Sequence, residues 1–376
     1  MPTTADTSTL DQLLDQLKEA EASERNQARL HRQAKPPLSV DMEDPIGWVS
    51  LFGYDPQRYF TDPLFYLEQQ LRQKLWRFEH INDDAPLNSW VPAWLGHYPE
   101  YTFFGLSLGV RSHGGPILQT DHAMTRAPDL SLLGPVDFRT SGWMPRMLRW
   151  HEDLVALANG RVSIGFFGWN RGGFDIAVQL RGYENLLLDT LERPEFVHDL
   201  MKLLVEERYR WCVEAAAYLG TEVGPTAIAD DWVACPYVSP GIFADFILPR
   251  YLEIEAFHGE LVGFHSCGDQ APFHEHMLQI KTLNGYEVSP WMDLSQALEN
   301  LPESKHLRLA VHPNDVVIDS PETMLAKLRA KADTLRGTTR SFTLGTSGLT
   351  PLHGEREFLD RIDLWLKLAR QSFASA

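Results

Sequence analysis

The chain has 376 residues, enough for one large core or two modest ones, and its 44% hydrophobic and 23% charged content is that of a globular protein. Asp and Glu total 51 against 34 Lys and Arg, a formal charge of -17 that repels nucleic-acid backbones and anionic membrane surfaces and argues against both as partners. The three cysteines, Cys212, Cys235 and Cys267, fit no disulfide framework, and no apolar run reaches the ~18 residues of a membrane span, so a cytoplasmic protein is expected.

Residues 1–40 read as an N-terminal helical arm, with Leu10, Leu13, Leu14 and Leu17 at helical spacing. The arm could join two copies into a homodimer or lie on its own domain. Residues 41–376 read as the main body, with an elaborated lead-in over 41–150 and regular strand–helix units over 151–376. In the lead-in, "DPLFYLEQQLRQKLWRFEHI" has helical periodicity and "YTFFGLSLGVRSHGGPILQTD" predicts two strands joined by a glycine turn; His113 and His122, in that hairpin region, are given no chemistry.

From "RVSIGFFGW" onward, apolar strand-like runs alternate with helical segments, the first a single helix through "ENLLLDTLERPEFVHDLMKLLVEERYRWCVEAAAYLG". Ser239-Pro240 and Ser320-Pro321 each place a capping hydroxyl before a proline at the first helical position. No strand is followed by a G-x-G-x-x-G turn, and polar residues gather at the C-terminal ends of the strands. The expected fold is therefore α/β, a (β/α)8 TIM barrel with an N-terminal helical extension.

Those strand ends supply the candidate site: Asp230 and Asp231 after "PTAIA", His265 and Cys267 after "LVGF", Glu287 after "LNGY", His312 after "LRLAV" and Ser347 after "FTLGT". His265 and Cys267 are two apart where strand alternation fails, and Gly268 after them lets the loop turn, so imidazole and thiol could meet on one zinc-like ion. The same spacing also suits a partly buried thiol beside a hydrogen-bonded histidine. Adjacent carboxylates at Asp230 and Asp231 could supply a general acid, or cap a helix or pair with an arginine. Glu287, in an apolar strand end, points to a ligand or substrate contact or to an arginine salt bridge. His274 and His276 read as surface residues of the next helix, Cys235 as inert filling, and Phe167, Trp169, Trp232 and Trp291 as aromatics that could enclose a methyl or ammonium group or simply pack.

The segments "LRGYENLLLDTLERPEFVHDLM", "ADDWVACPYVSPGIFADFILPRYLEIE", "GFHSCGD", "VHPNDVVIDSPETM" and "TLGTSGLTP", in this order, resemble the uroporphyrinogen decarboxylase superfamily, and within it the zinc-dependent methyltransferases of corrinoid systems. The resemblance implies a (β/α)8 barrel with its pocket at the C-terminal mouth. True decarboxylases of this kind carry an arginine-rich "RQAGRY" stretch for the substrate's carboxylates; the nearest string here, "VPAWLGHYPEY", has no arginine. The methyltransferase branch carries H-x-C-G, matched by His265, Cys267 and Gly268, and a second cysteine in a last-strand pattern like "GCGLP", where "GTSGLTP" places Ser347 instead.

The resemblance thus implies a metal-dependent methyltransferase or demethylase moving methyl between a small methylated substrate or thiol and a corrinoid. Zn2+ would be held by His265 and Cys267, with His312 or Ser347 as further ligands and Glu287 or Asp231 as other strand-end candidates; the alternative to a completed site is that the metal has been lost along with the second cysteine. The sequence contains no D-x-H-x-x-G segment, so cobalamin would arrive on a separate protein or free. The alternatives are a decarboxylase or lyase with Asp230 or Asp231 as proton donor, and a non-catalytic tetrapyrrole-binding barrel.

Overall fold

The computed structural model describes residues 7–110 and 114–374. Its strands are β1 (Leu38–Met42), β2 (Trp90–Pro92), β3 (Ser107–Val110), β4 (Pro116–Gln119), β5 (Ser163–Gly165), β6 (Thr226–Ala229), β7 (Leu261–His265), β8 (Gly285–Val288), β9 (His306–Val311) and β10 (Phe342–Leu349). β3 and β4 form the antiparallel hairpin that "GLSLG" and "PILQ" predict, with Ser107 opposite Gln119. All other ladders are parallel: β1-β10-β9-β8 in one sheet, β2 with β5, and β6 with β7. Helices connect successive parallel strands, as parallel pairing demands.

The parallel arcs are joined in places by single contacts. Ala229, ending β6, bridges to Arg171 beyond β5, its N–H donating to the Asn170 carbonyl at 2.8 Å and its carbonyl accepting the Gly172 N–H at 2.9 Å. Among the described residues no ladder joins β7 to β8 or β1 to β2. Across β7/β8 the connection is made by side chains: Arg308 of β9 lies over Gly263 and Gly285 and donates to the Phe264 carbonyl at 3.0 Å, and Ser289 donates to the Gly268 carbonyl at 2.8 Å. β9 shows the expected period of two, with Leu307, Leu309 and Val311 buried and the residues between them half-exposed.

The arm's leucines are buried against its own chain, where the Ser8–Ala22 helix lies on the Pro63–His80 helix and Arg161 pairs with Asp11 at 2.8 Å. A second helix, Glu24–Leu30, follows, and the chain is already in β1 at Leu38. The long helix expected after β5 is three: Gly173–Arg181, Tyr183–Glu192 and Pro194–Leu219. Gly182 at φ 83° makes the first break, and Pro194, which has no N–H to continue the ladder, opens the third segment. Ser239 and Ser320 cap as read, accepting from Ile242 N and Thr323 N, each at 3.2 Å. Among the described residues no helix is long and apolar enough to cross a membrane.

Candidate metal centre

The loop after β6 and the loop after β7 are fastened to each other. The Cys235 N–H donates to the Asp269 carbonyl at 2.9 Å, and a Cβ on Gly268 would lie 2.5 Å from the Ala234 Cβ. Gly268 is therefore required for close approach of the two loops; it is not among the glycines of positive φ, so the turn itself does not demand it. This contact sets Asp231 beside His265 and Cys267. Cys267 Sγ donates to Asp231 Oδ1 at 3.4 Å, His265 Nε2 lies 3.6 Å from Cys267 Sγ, and Nε2 is 3.6 Å from Asp231 Oδ1.

A tetrahedral Zn2+ with N and O bonds of about 2.0–2.1 Å and an S bond of about 2.3 Å needs donor separations of roughly 3.4–3.6 Å. The three donor atoms stand at those separations, so they fit the ion without rearrangement, and the open side leaves a fourth position. The side chains of His265 and Asp231 are about half and one-third exposed, and Cys267 is exposed, so an ion could reach them.

Each donor is held from behind. Glu287, from β8, places both carboxylate oxygens 3.0 Å from His265 Nδ1, so the ring donates there and Nε2 faces Cys267. The hydrogen bond with Cys267, then that with Glu287, raises the imidazole pKa to about 10 when no ion is bound. Arg171 Nη1 donates to Asp231 Oδ2 at 2.6 Å and to Asp175 Oδ2 at 2.9 Å. Partial burial opposes ionisation of Asp231, but Arg171 outweighs it and holds the carboxyl below the usual range. Asp175 is itself pinned by the Tyr101 hydroxyl at 3.2 Å and the Trp232 N–H at 3.0 Å.

The structure separates the sequence-predicted residues. Asp230 points into the interior, fully buried, accepting from the Asp175 N–H at 2.8 Å and the Tyr251 hydroxyl at 2.9 Å; burial and then the Asp175 charge drive its pKa well up. Glu287 is neither in an arginine salt bridge nor among the three grouped donors, but orients one of them. His312 is not with the cluster: its Nδ1 accepts from Asn314 N at 3.1 Å, capping the Pro313–Val317 helix. Ser347 is exposed on β10, and it is Asp231, in the loop after β6, that is grouped with His265 and Cys267.

Other expectations change more. His274 is buried, 1% exposed, against the surface position read from the sequence; burial lowers its pKa to about 4, and its ring meets Tyr286 edge-on. Trp169 is enclosed by Phe103, Phe104 and Trp211 and cannot wrap a ligand. Trp232 stacks on Tyr183 at 4.9 Å, Trp291 is exposed, His122 caps a short turn, and His113 lies outside the described residues. Arg171, Asp175 and Tyr101 were missed; "NRGGFD" directly after the β5 run was the available signal, since it is another polar strand end.

Arg171 also borders a cavity of about 510 Å3 at the C-terminal ends of β2 and β5. Larger clefts of about 770 and 710 Å3 lie against the Pro63–His80 helix. None of the three cavities is lined by Asp231, His265 or Cys267, but the one of about 510 Å3 adjoins them through Arg171, which both lines it and holds Asp231.

Against known proteins, the uroporphyrinogen decarboxylase (URO-D) family model matches residues 100–346. The chain belongs to the uroporphyrinogen decarboxylase family. That span includes both halves of the metal cluster and Arg171, and leaves the N-terminal arm outside it. A solved methyltransferase from Methanosarcina mazei is similar in fold over 96% of this chain and 99% of its own, with a TM-score of 0.62 and 17% identity. No curated protein matches the chain.

Proposed function

We propose that this URO-D family member is a metal-dependent methyltransferase or demethylase that moves a methyl group between a small methylated compound or thiol and a corrinoid, the corrinoid being supplied by a separate carrier or free. The observation that carries the reading is the Asp231–His265–Cys267 triangle, whose separations match tetrahedral zinc while leaving a coordination position open. Bound zinc would act as a Lewis acid on a thiol or on the heteroatom of the methylated compound. Glu287 selects the His265 tautomer, Arg171 keeps Asp231 ionised, and the fastened loops hold the three donors within reach of one ion. The parallel arcs are proposed to close as a (β/α)8 barrel with this site at its C-terminal mouth; the M. mazei methyltransferase, alike in fold, lends the chemistry plausibility as analogy.

The carboxy-lyase alternative is less well supported. Asp230 is walled off from the cavity and Asp231 is held ionised, so neither is a proton donor at the mouth. A polycarboxylated tetrapyrrole would also find Arg171 already paired with two carboxylates.

The test is metal analysis of gently purified protein beside Cys267→Ser, followed by product analysis with methylcobalamin, thiols and methylated amines or ethers. About one zinc per wild-type chain, lost in the variant, with methyl transfer is expected. Equal and negligible zinc in both proteins, or carbon dioxide release without methyl transfer, would overturn it.

A further inference from the structure

The cavity beside Arg171 is walled by four aromatic rings that differ in how they are held. Phe166 is wedged among His151, Tyr218 and Trp211, and Trp94 packs on Phe60 and His97, so these two are fixed walls. Trp90 is half-exposed and its indole lies over Gly165, where any Cβ would be 2.5 Å from the ring. Phe167 touches only Phe166 among the aromatic rings of the described residues. Trp90 and Phe167 therefore keep ring surface for a ligand.

The polar end of the cavity is equally specific. Arg171 spends Nη1 on two carboxylates and Nε on the His97 carbonyl, and among the described residues Nη2 has no partner. The Asn170 amide folds over Gly168, 3.2 Å from where a Cβ would stand, and its side chain is likewise unpartnered. Both groups can donate hydrogen bonds to an oxygen. The lining carboxylate, Glu100, is buried beneath and accepts the Asn170 N–H at 3.2 Å, so it is not presented to a cationic guest. A volume of about 510 Å3 is ample for a substituted benzene ring and falls within the roughly 300–1,000 Å3 of small-molecule sites.

We infer that this cavity binds an oxygen-substituted aromatic compound, its ring against Trp90 and Phe167 and an oxygen accepting hydrogen bonds from Asn170 and Arg171. The inference rests on the proposed methyl transfer only for the identity of the transferable substituent, which makes the substrate an aryl methyl ether; ring binding stands on the cavity itself.

Calorimetric titration of the full chain with 4-methoxybenzoate, toluene and choline tests it, on wild type with and without a metal chelator, on Phe167→Ala and on Asn170→Leu, with folding followed by circular dichroism. Wild type should bind 4-methoxybenzoate in both conditions, so loss of the metal reading leaves this result intact. Phe167→Ala should weaken binding about tenfold by removing a ring contact. Asn170→Leu, an exposed position, should weaken 4-methoxybenzoate several-fold and leave toluene unchanged. No binding of 4-methoxybenzoate to wild type, tighter binding of choline, or equal loss of both aromatic probes in Asn170→Leu would overturn the inference.

Discussion

Replacing Glu287 by alanine isolates the contribution of orientation to metal affinity, because Glu287 touches the imidazole and not the three donor atoms. Both of its oxygens lie 3.0 Å from His265 Nδ1, and its side chain is only 17% exposed, so the contact is well ordered and largely screened from water. Removing it frees the ring to rotate and takes away the carboxylate that would accept the Nδ1 proton while Nε2 held the ion. Outer partners of this kind are worth about 10–100-fold in affinity, or roughly 1.4–2.7 kcal/mol. Glu287→Gln retains an oxygen acceptor but loses the charge, and should fall between wild type and Glu287→Ala. Competition with a chromophoric zinc chelator at pH 7.5 measures all three proteins, and the spectrum of the Co2+-substituted forms reports coordination directly. An unchanged zinc affinity in Glu287→Ala, with the protein folded, would refute the assignment of Nε2 as the ligand atom.

Arg171→Met should leave the buried Asp175 carboxylate and Asp231 without their shared cation, a loss of about 3–5 kcal/mol. At roughly 2.1 cal/mol/K per residue, 376 residues convert this into a fall in melting temperature of about 4–6 °C, readable by calorimetry. His274 titrates at about 4 when folded, below the ordinary 6.5. The unfolded chain therefore binds more protons between these values, and stability falls as pH drops through that window, by about 2 kcal/mol at pH 5. Denaturant titrations at pH 7 and 5 should show this loss reduced in His274→Phe. Gly268→Ala should drive the two loops apart and weaken zinc binding, and Ala234→Gly in the same chain should restore it, since the clash is between those two Cβ positions.

The order of strands and helices was legible because alternation and helical spacing are local properties, as at β9, and because Ser239 and Ser320 announce their helices chemically. His265 and Cys267 were legible for the same reason, being neighbours along one strand end. The third donor was not fixed by pattern: Asp230 and Asp231 are adjacent in sequence, and only the interior partners Tyr251 and Asp175 decide which faces inward. His312 looked available as a ligand because capping of Asn314 is invisible without the turn it closes. His274 looked solvated by composition alone, whereas its burial depends on packing that includes Tyr286, which arrives from β8. Arg171 escaped notice because the aromatic residues before it suggested the end of a strand and nothing further.

The boundary between β7 and β8 has no backbone ladder among the described residues; it is spanned instead by the His265–Glu287 contact, by the Ser289–Gly268 bond and by Arg308. One of these rivets is also the group that aims the imidazole. Compass and masonry are thus the same stone in this wall, so a chain that lost this acid would have to re-mortar the joint between the two strands as well as re-aim the ring.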